Sequence, residues 1–291
     1  MKLSFSAANA LPATSGLRFD QAFSGLDIKR SLNPLKMLAR PMRNRLGLRG
    51  PAHALLADSH GVWAWAPGDC YAAATRHASV RDWMRGQSGC DLRLWVSGDL
   101  MHSLDDACTL PSGDETTLRS HARQQLVARH GDAAAQWPLA TWQNTASLGV
   151  VALSGVDLDL LRKQASQFDL RIRSVAPWWH HAFLEARQCV PALARAAFAS
   201  VVVVEGRHAV WIETTQGVMG RVSRELLAEP SIAALNALIA AKRVVGAATV
   251  VLGQGLVDGG NGSAVDAHVL GRLDSDQPPQ WLRPSTQFQV H

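Results

Sequence analysis

Residue types that support catalysis occur along this chain, but none of them is spaced as a catalytic site. His180 and His181 are adjacent, and adjacent residues on a helix point about 100° apart, so the two rings are not expected to share one ion. Ser97 and Ser154 each precede a glycine, yet neither lies in the Gly-x-Ser-x-Gly turn of a hydrolase, and no His/Asp partner can be assigned. A hydrolase is therefore not predicted.

The cysteines and acidic residues do not indicate a metal site or a catalytic site either. The cysteines are widely spaced, without a CxxC or Cys/His pattern, so reduced thiols are predicted rather than disulfides or a zinc site. They are Cys70, Cys90, Cys108 and Cys189. The acidic residues Asp105, Asp106, Asp114 and Glu115 lie in a loop with Pro and Gly, which is typical of a solvated stretch rather than a catalytic carboxylate pair. The sequence predicts no catalytic residue and no metal site.

Tryptophan is over-represented, with ten Trp against one Tyr. Strand positions, which indicate core or sheet-face residues, are occupied by Trp63, Trp65, Trp95 and Trp211. Trp178 and Trp179 follow a strand end instead. Because Trp is enriched at binding hot spots, these two are predicted to be interface residues.

The positive charge of the chain is confined to its beginning. Residues 1–57 contain nine Lys/Arg against two acids, a net charge of +7, whereas the whole chain carries +5. Seven basic residues fall within a stretch without any acid: Lys29, Arg30, Lys36, Arg40, Arg43, Arg45 and Arg49. We interpret residues 1–50 as a flexible extension. The alternatives are that its basic residues bind an anionic membrane surface or an acidic partner. Nucleic acid is not expected, because no aromatic residues are interleaved with the basic ones.

Composition places the chain among soluble globular proteins. It is 47% hydrophobic and 18% charged, and its apolar runs are far shorter than the roughly 18 residues that would span a bilayer. Polar residues and Pro12 interrupt any signal-peptide core near the N-terminus. The cytoplasm is the expected compartment.

Residues 148–179 give the clearest pattern of secondary structure. Residues 148–153 form an apolar run that is typical of a buried parallel strand. Apolar residues then recur at helical spacing, with Leu161 and Phe168 on the face that should be buried. Residues 170–175 alternate as a second strand, which Pro177 ends. A parallel strand–helix–strand crossover within one sheet is predicted.

The rest of the chain repeats one plan. Residues 53–97 read as a hairpin, a third strand, a helix capped by Ser79 and a further strand. Residues 201–252 again read as antiparallel strands joined by tight turns, then a helix and a strand. The last residues, from 256, are rich in Gly, Asp, Pro and Gln, so a loosely packed tail is predicted for 256–291.

Three stretches in this order resemble one family. They are LRLWVSGDLMHS at residues 92–103, LRSHARQQLVARHG at 118–131 followed by WPLATW, and GVVALSGVDLDLLRKQASQFDLRIRSVAPWW at 149–179. The chain resembles the PilM-type pilus-assembly protein and the cytoplasmic domain of the type II secretion L protein, over roughly residues 52–255. This resemblance implies an α/β fold of duplicated ribonuclease-H-like units, the actin-like ATPase fold. The units would comprise residues 51–177 and 178–255.

The same resemblance implies where a nucleotide would bind. Actin-like ATPases hold phosphates against the backbone N–H groups of two hairpin turns, with an Asp that orients Mg²⁺. The corresponding residues here are Asp58 and Ser59 in the first turn, Gly206 in the second, and Gly253 and Gly255 after the last strand. Neither turn has the expected Asp-x-Gly character, so a degenerate nucleotide site without a cofactor is expected.

The function that follows is a non-catalytic cytoplasmic scaffold of a type IV pilus or type II secretion-like system, peripheral to the inner membrane. Its expected partners are inner-membrane assembly proteins and the motor ATPase. The alternative is an active actin-like ATPase that binds and slowly hydrolyses ATP with magnesium.

Overall fold

The structure is a computed structural model of the chain. It describes residues 52–65, 74–104, 115–143, 148–257, 265 and 267–274. The seven basic residues between Lys29 and Arg49 lie outside the described residues, so the predictions made for them stay predictions.

The first sheet has five strands in the order β3-β2-β1-β4-β8. They are β1 (His53–Asp58), β2 (Gly61–Trp65), β3 (Thr75–His77), β4 (Asp91–Val96) and β8 (Arg171–Pro177). Strands β1, β2 and β3 pair antiparallel, whereas β1, β4 and β8 run parallel.

The second sheet repeats this arrangement in the order β11-β10-β9-β12-β13. Its strands are β9 (Ala199–Glu205), β10 (His208–Thr215), β11 (Val218–Leu226), β12 (Ala248–Gln254) and β13 (His268–Leu270). Again the first three strands pair antiparallel and the last two extend the sheet in parallel. Two sheets of identical strand order and direction define a duplicated ribonuclease-H-like fold, as predicted.

A third, smaller sheet is inserted in the first unit. It has the order β5-β7-β6, formed by β5 (Met101–Leu104), β6 (Leu139–Gln143) and β7 (Leu148–Leu153), and all its pairs are antiparallel. The predicted parallel crossover is therefore wrong, because β7 and β8 belong to different sheets. Val150 and Ala152 pack in one apolar cluster while Val151 and Leu153 join the main core. Burial on both faces made β7 resemble a central parallel strand.

Five helices connect these strands within the described residues. They are α1 (Val80–Arg85), α2 (Glu115–His130), α3 (Leu158–Gln167), α4 (Trp178–Cys189) and α5 (Ile232–Lys242). Side chains of Ser79, Asp157 and Ser231 accept backbone N–H groups at the starts of α1, α3 and α5, and so satisfy donors that the helix leaves unpaired. None of the described helices has the length and apolar character needed to cross a bilayer.

Helix α4 connects the two units through a shared core. It contacts β4 and β8 of the first sheet and β9 and β12 of the second. Trp178 and Trp179, at its start, are only 1% and 2% exposed. The expectation that they form an interface is wrong for this structure, because α4 begins directly after Pro177 and both indoles enter the core.

Part of the predicted loose tail is also ordered in the second sheet. Strand β13 pairs in parallel with β12, and Leu270 and Leu273 are buried. The segment is short and surrounded by turn residues, so its pattern alone did not indicate a strand.

Candidate functional site

The first hairpin turn uses its own carboxylate. Asp58, at the end of β1, accepts the backbone N–H of His60 at 2.7 Å and the indole Nε1–H of Trp63 at 3.2 Å. Both carboxylate oxygens of Asp58 are thus engaged within the β1–β2 hairpin, as is common for Asp in turns.

The segment after β4 meets this turn. Because β1 and β4 are parallel neighbours, the residues that follow them emerge at the same sheet edge. The backbone N–H of Ser59 donates to Asp99 Oδ2 at 3.0 Å. Burial alone would raise the pKa of Asp99, but hydrogen bonds from Ser59 and Ser97 and the nearby His208 outweigh it, and its pKa lies below the usual value.

The second hairpin turn sends a carboxyl group to the same segment. Glu205, at the end of β9, accepts hydrogen bonds from the hydroxyl of Ser97 and from the backbone N–H of Gly98, the latter at 2.5 Å. Burial, with a further contribution from the charge of Asp99, raises the pKa of Glu205 to about 7, despite the opposing hydrogen bonds and Arg224. This carboxyl group joins the two units.

Arg224 of β11 makes the second polar contact between the units. Its guanidinium donates to the backbone carbonyl of Met101 at 2.5 Å, and its Nη2 lies 3.0 Å from Nδ1 of His208. Burial, together with the charge of Arg224, lowers the pKa of His208. We call the set Ser59, Ser97, Gly98, Asp99, Glu205, His208 and Arg224 the turn junction.

The three glycines predicted to line a nucleotide lie where backbone segments approach one another closely. Gly206 donates its N–H to the carbonyl of Gln254 at 2.9 Å. Gly255 has φ +78°, and a Cβ there would lie 3.0 Å from the nitrogen of Gly206. A Cβ on Gly253 would lie 2.0 Å from the carbonyl oxygen of Val204. Close approach of β9, β12 and their following turns explains why glycine occupies these positions.

Sequence reasoning located the two turns but missed the groups that join them. Ser59 belongs to the turn junction, with Asp58 beside it in the same turn, and Gly206 follows Glu205 directly. Asp99, the Glu205 carboxyl group and Arg224 were not predicted. One signal was available: Glu205 is a charged residue at the end of four consecutive valines, where the carboxyl ends of parallel strands meet.

The two sheets and the joined turns define the class of protein, a duplicated ribonuclease-H-like chain with the actin-like ATPase fold. No protein-family model matches the chain, and no curated protein matches it in sequence. Several solved structures are similar to it, and three of them are described here. The cytoplasmic domain of EpsL, an inner membrane component of the type II secretion system of Vibrio cholerae, is 12% identical, with a TM-score of 0.41 over 80% of this chain and 89% of that one.

The other two structures are similar at the same level. A protein of Bacteroides thetaiotaomicron with an actin-like ATPase fold and unknown function is 7% identical, with a TM-score of 0.43 over 72% of this chain and 83% of that one. A chain of a PilM–PilN type IV pilus biogenesis complex is 9% identical, with a TM-score of 0.46 over 71% and 82%. The fold assignment rests on the strand order of this chain itself.

Proposed function

We propose that this chain is a non-catalytic assembly protein that uses the actin-like fold without a nucleotide. One observation carries the proposal: backbone N–H groups at the two turns, and that of Gly98 after β4, donate to acceptors of the protein itself. His60 donates to Asp58, Ser59 to Asp99, Gly98 to Glu205, and Gly206 to the carbonyl of Gln254. Donors of this kind are what a phosphate-binding turn offers to its ligand.

Charge opposes a nucleotide at the same place. Asp58 and Asp99 lie around the turns where the phosphates of an actin-like ATPase would approach. Carboxylates beside a polyphosphate repel it, and the repulsion grows as the site is buried. Arg224, a cation of the turn junction, already donates to Met101 and contacts His208. A nucleotide would therefore have to break the contacts that join the two units.

The assembly role rests on the resemblance of three sequence stretches to pilus-assembly and type II secretion proteins. We infer a cytoplasmic scaffold whose partners are inner-membrane components of such a system, with the motor ATPase as a further partner. Lys29 to Arg49 would add contact with an anionic membrane surface, to which each basic residue contributes on the order of 1 kcal/mol.

A thermal-shift titration tests whether nucleotide binds. With Mg²⁺-ATP at millimolar concentration we expect no change in Tm beyond that produced by MgCl₂ alone. Ligand present at about 100 times its Kd would stabilise the folded state by about 2.7 kcal/mol, so micromolar binding would be visible. A saturable rise in Tm with ATP contradicts the proposal and supports the ATPase alternative.

In-cell cross-linking of the full chain tests the assembly role. We expect enrichment of inner-membrane pilus or secretion components over a tagged unrelated protein of similar size. Replacing Arg40, Arg43, Arg45 and Arg49 with Ala should reduce salt-sensitive binding to anionic vesicles. Recovery of no pilus or secretion component would contradict the assembly role, and unchanged vesicle binding would contradict the membrane contact.

A further inference from the structure

One end of the second sheet gathers exposed apolar side chains. Four of the seven large apolar side chains that are exposed among the described residues lie there, and we call them the apolar end: Phe198, Val218, Val244 and Val245. The first directly precedes β9, the second begins β11, and the last two lie in the turn between α5 and β12. This end is opposite to the turn junction, because Glu205 and His208 lie at the other ends of β9 and β10.

Strand pairing makes these side chains one patch. Strand β9 begins beside the start of β12 and the end of β10, because Ala199 pairs with both Ala248 and Thr214. The β10–β11 turn contacts the segment before β9, since Gln216 donates its backbone N–H to the carbonyl of Ala196 at 2.9 Å. The four strands from β11 to β12 span about 15 Å at the usual spacing of neighbouring strands. An exposed apolar patch of this kind is typical of an interaction site.

The apolar side chains project from the surface. Ala247 donates its backbone N–H to the carbonyl of Val244 at 3.0 Å, and Gly246 has φ +80°, so the chain turns tightly there. Val245, at the tip of this turn, is 100% exposed, and Phe198 is 63% exposed. Anchors of protein interfaces usually fill pockets, whereas the boundary of a bilayer accepts protruding apolar side chains beside basic residues. The shape favours a lipid surface.

Charge identifies the kind of lipid. The apolar end is formed by three segments: 191–200, 214–222 and 240–250. None of the three contains an acid, and four basic residues lie in them: Arg195, Arg221, Lys242 and Arg243. Glu213, directly before the second segment, and Glu225, which pairs with Lys242, leave the balance positive. A second copy of this chain, or its basic N-terminal extension, would bring like charges together. An anionic surface is the complementary occupant.

We propose that the apolar end is a lipid-binding surface: Phe198 and Val245 insert into the interface of an anionic bilayer, and the surrounding arginines contact the phosphate groups of its lipids. This contact rests on the proposed function, in which the chain lies at the inner membrane, and it adds an orientation. The turn junction, at the other end of the sheet, would point away from the membrane. Vesicle binding requires no pilus or secretion component, so failure of the lipid contact and failure of the assembly role are separate results.

Vesicle flotation of the full chain tests this surface. Vesicles of phosphatidylcholine with phosphatidylglycerol are compared with vesicles of phosphatidylcholine alone. We expect binding to the anionic vesicles that weakens between about 0.1 M and about 0.5 M salt, because screening reduces the contacts with the headgroups. Phe198→Asp with Val245→Asp should lower the partition coefficient at least about tenfold, because both substitutions place a charge where an apolar side chain inserts. Absence of binding by the wild-type chain, or equal binding to both kinds of vesicle, would overturn the proposal.

Leu226→Asp with Val257→Asp is the matched control. Both residues are exposed at the opposite end of the same sheet, and the two substitutions add the same negative charge. This variant should lower the partition coefficient less than about twofold, because its charges lie away from the bilayer. Equal losses in the two variants would overturn the contact at the apolar end. So would self-association of the wild type that Phe198→Asp with Val245→Asp abolishes, if no vesicles bind.

Two further comparisons keep the basic extension and misfolding out of the result. The difference between the two double variants should persist when Arg40, Arg43, Arg45 and Arg49 are replaced with Ala, and its disappearance there would contradict the proposal. Arg195→Gln with Arg221→Gln leaves the apolar side chains in place. It should weaken binding to anionic vesicles and reduce the salt dependence, and unchanged binding would contradict the headgroup contacts.

Discussion

Arg173 of β8 donates its Nε–H to the carboxylate of Asp91 on the neighbouring strand β4 at 2.5 Å, and Asp91 is only 2% exposed. A β-bulge creates this contact. Asp91 and Leu92 pair with Arg171 and Ile172, but the next pair is Arg93 with Ser174, so Arg173 is the extra residue on β8. The bulge redirects one arginine towards a buried carboxylate, as bulges often redirect side chains.

Removing this arginine should destabilise the first unit. Arg173→Ala removes the guanidinium that pairs with the buried carboxylate of Asp91. Breaking a fully buried ion pair typically costs about 3 to 5 kcal/mol. Because the Arg173 side chain is 46% exposed, solvent will offset part of this loss. We expect the free energy of unfolding, measured by urea denaturation, to fall by about 1 to 3 kcal/mol. The control is Arg171→Ala, at an exposed position two residues away, which should change the free energy of unfolding by less than about 0.5 kcal/mol. Equal effects of the two substitutions would contradict a stabilising ion pair between Arg173 and Asp91.

Helix α3 offers adjacent leucines with opposite environments. Leu161 is 6% exposed and packs in the main core, whereas Leu160 is 50% exposed. Leu161→Ala should reduce the free energy of unfolding by about 2 to 5 kcal/mol, because the lost methyl groups leave a cavity. Leu160→Ala should have an effect below about 1 kcal/mol. A larger loss in Leu160→Ala would mean that the helix is rotated relative to this structure.

Gly253 permits the close approach of β12 to β9. It has φ +141°, and a Cβ would lie 2.0 Å from the carbonyl oxygen of Val204, a backbone atom that cannot move without disturbing the parallel pairing. Gly253→Ala should therefore cost at least about 2 kcal/mol, measured by thermal or urea denaturation. Gly86→Ala is the control, since Gly86 has φ −89° and its nearest new contact would be 3.8 Å away. A neutral effect of Gly253→Ala would contradict the placement of β12.

The fold was predictable because its signals are local. Alternating strands, tight turns and side-chain caps such as Ser79 and Ser231 lie within a few residues of one another, and the same plan occurs twice along the chain. Which strands pair with one another depends on residues that are distant in the sequence, so the pairing could not be predicted in the same way. Nothing in residues 148–153 distinguishes a strand buried between α2 and the core from one in the middle of a parallel sheet, so β7 was assigned to the wrong sheet.

The site was predictable only as positions in two turns. Contact between Gly98 and Glu205 joins residues 107 apart in sequence, and it depends on how the units are oriented around α4. Hydrogen-bonding partners at that distance leave no periodic pattern. The same reason explains Trp178 and Trp179: their residue type favoured an interface, but the orientation of α4 places both in the core.

Two adjacent histidines at the start of α4 should limit stability in acid. His181 stacks on Trp95, with ring centroids 4.0 Å apart, and burial, with His180 and Arg93 nearby, lowers its pKa to about 3. Burial lowers the pKa of His180 to about 4. Unfolded histidines bind protons from about pH 6.5 downward, whereas these two remain neutral in the folded chain. Folded stability should therefore fall as pH decreases below about 6.5.

His181→Phe tests this dependence, because it keeps an aromatic ring against Trp95 but removes the titrating group. Between about pH 6.5 and about pH 4.5 the wild-type chain should lose about 2 kcal/mol more stability than the variant, since each pKa unit corresponds to about 1.4 kcal/mol. Glu205, with its raised pKa, contributes the opposite slope in this interval and is present in both proteins, so the difference isolates His181. His60→Gln, at an exposed turn position, is the control and should retain the wild-type acid dependence. If urea denaturation gave parallel pH profiles for the wild type and His181→Phe, burial of His181 would not be a source of acid sensitivity.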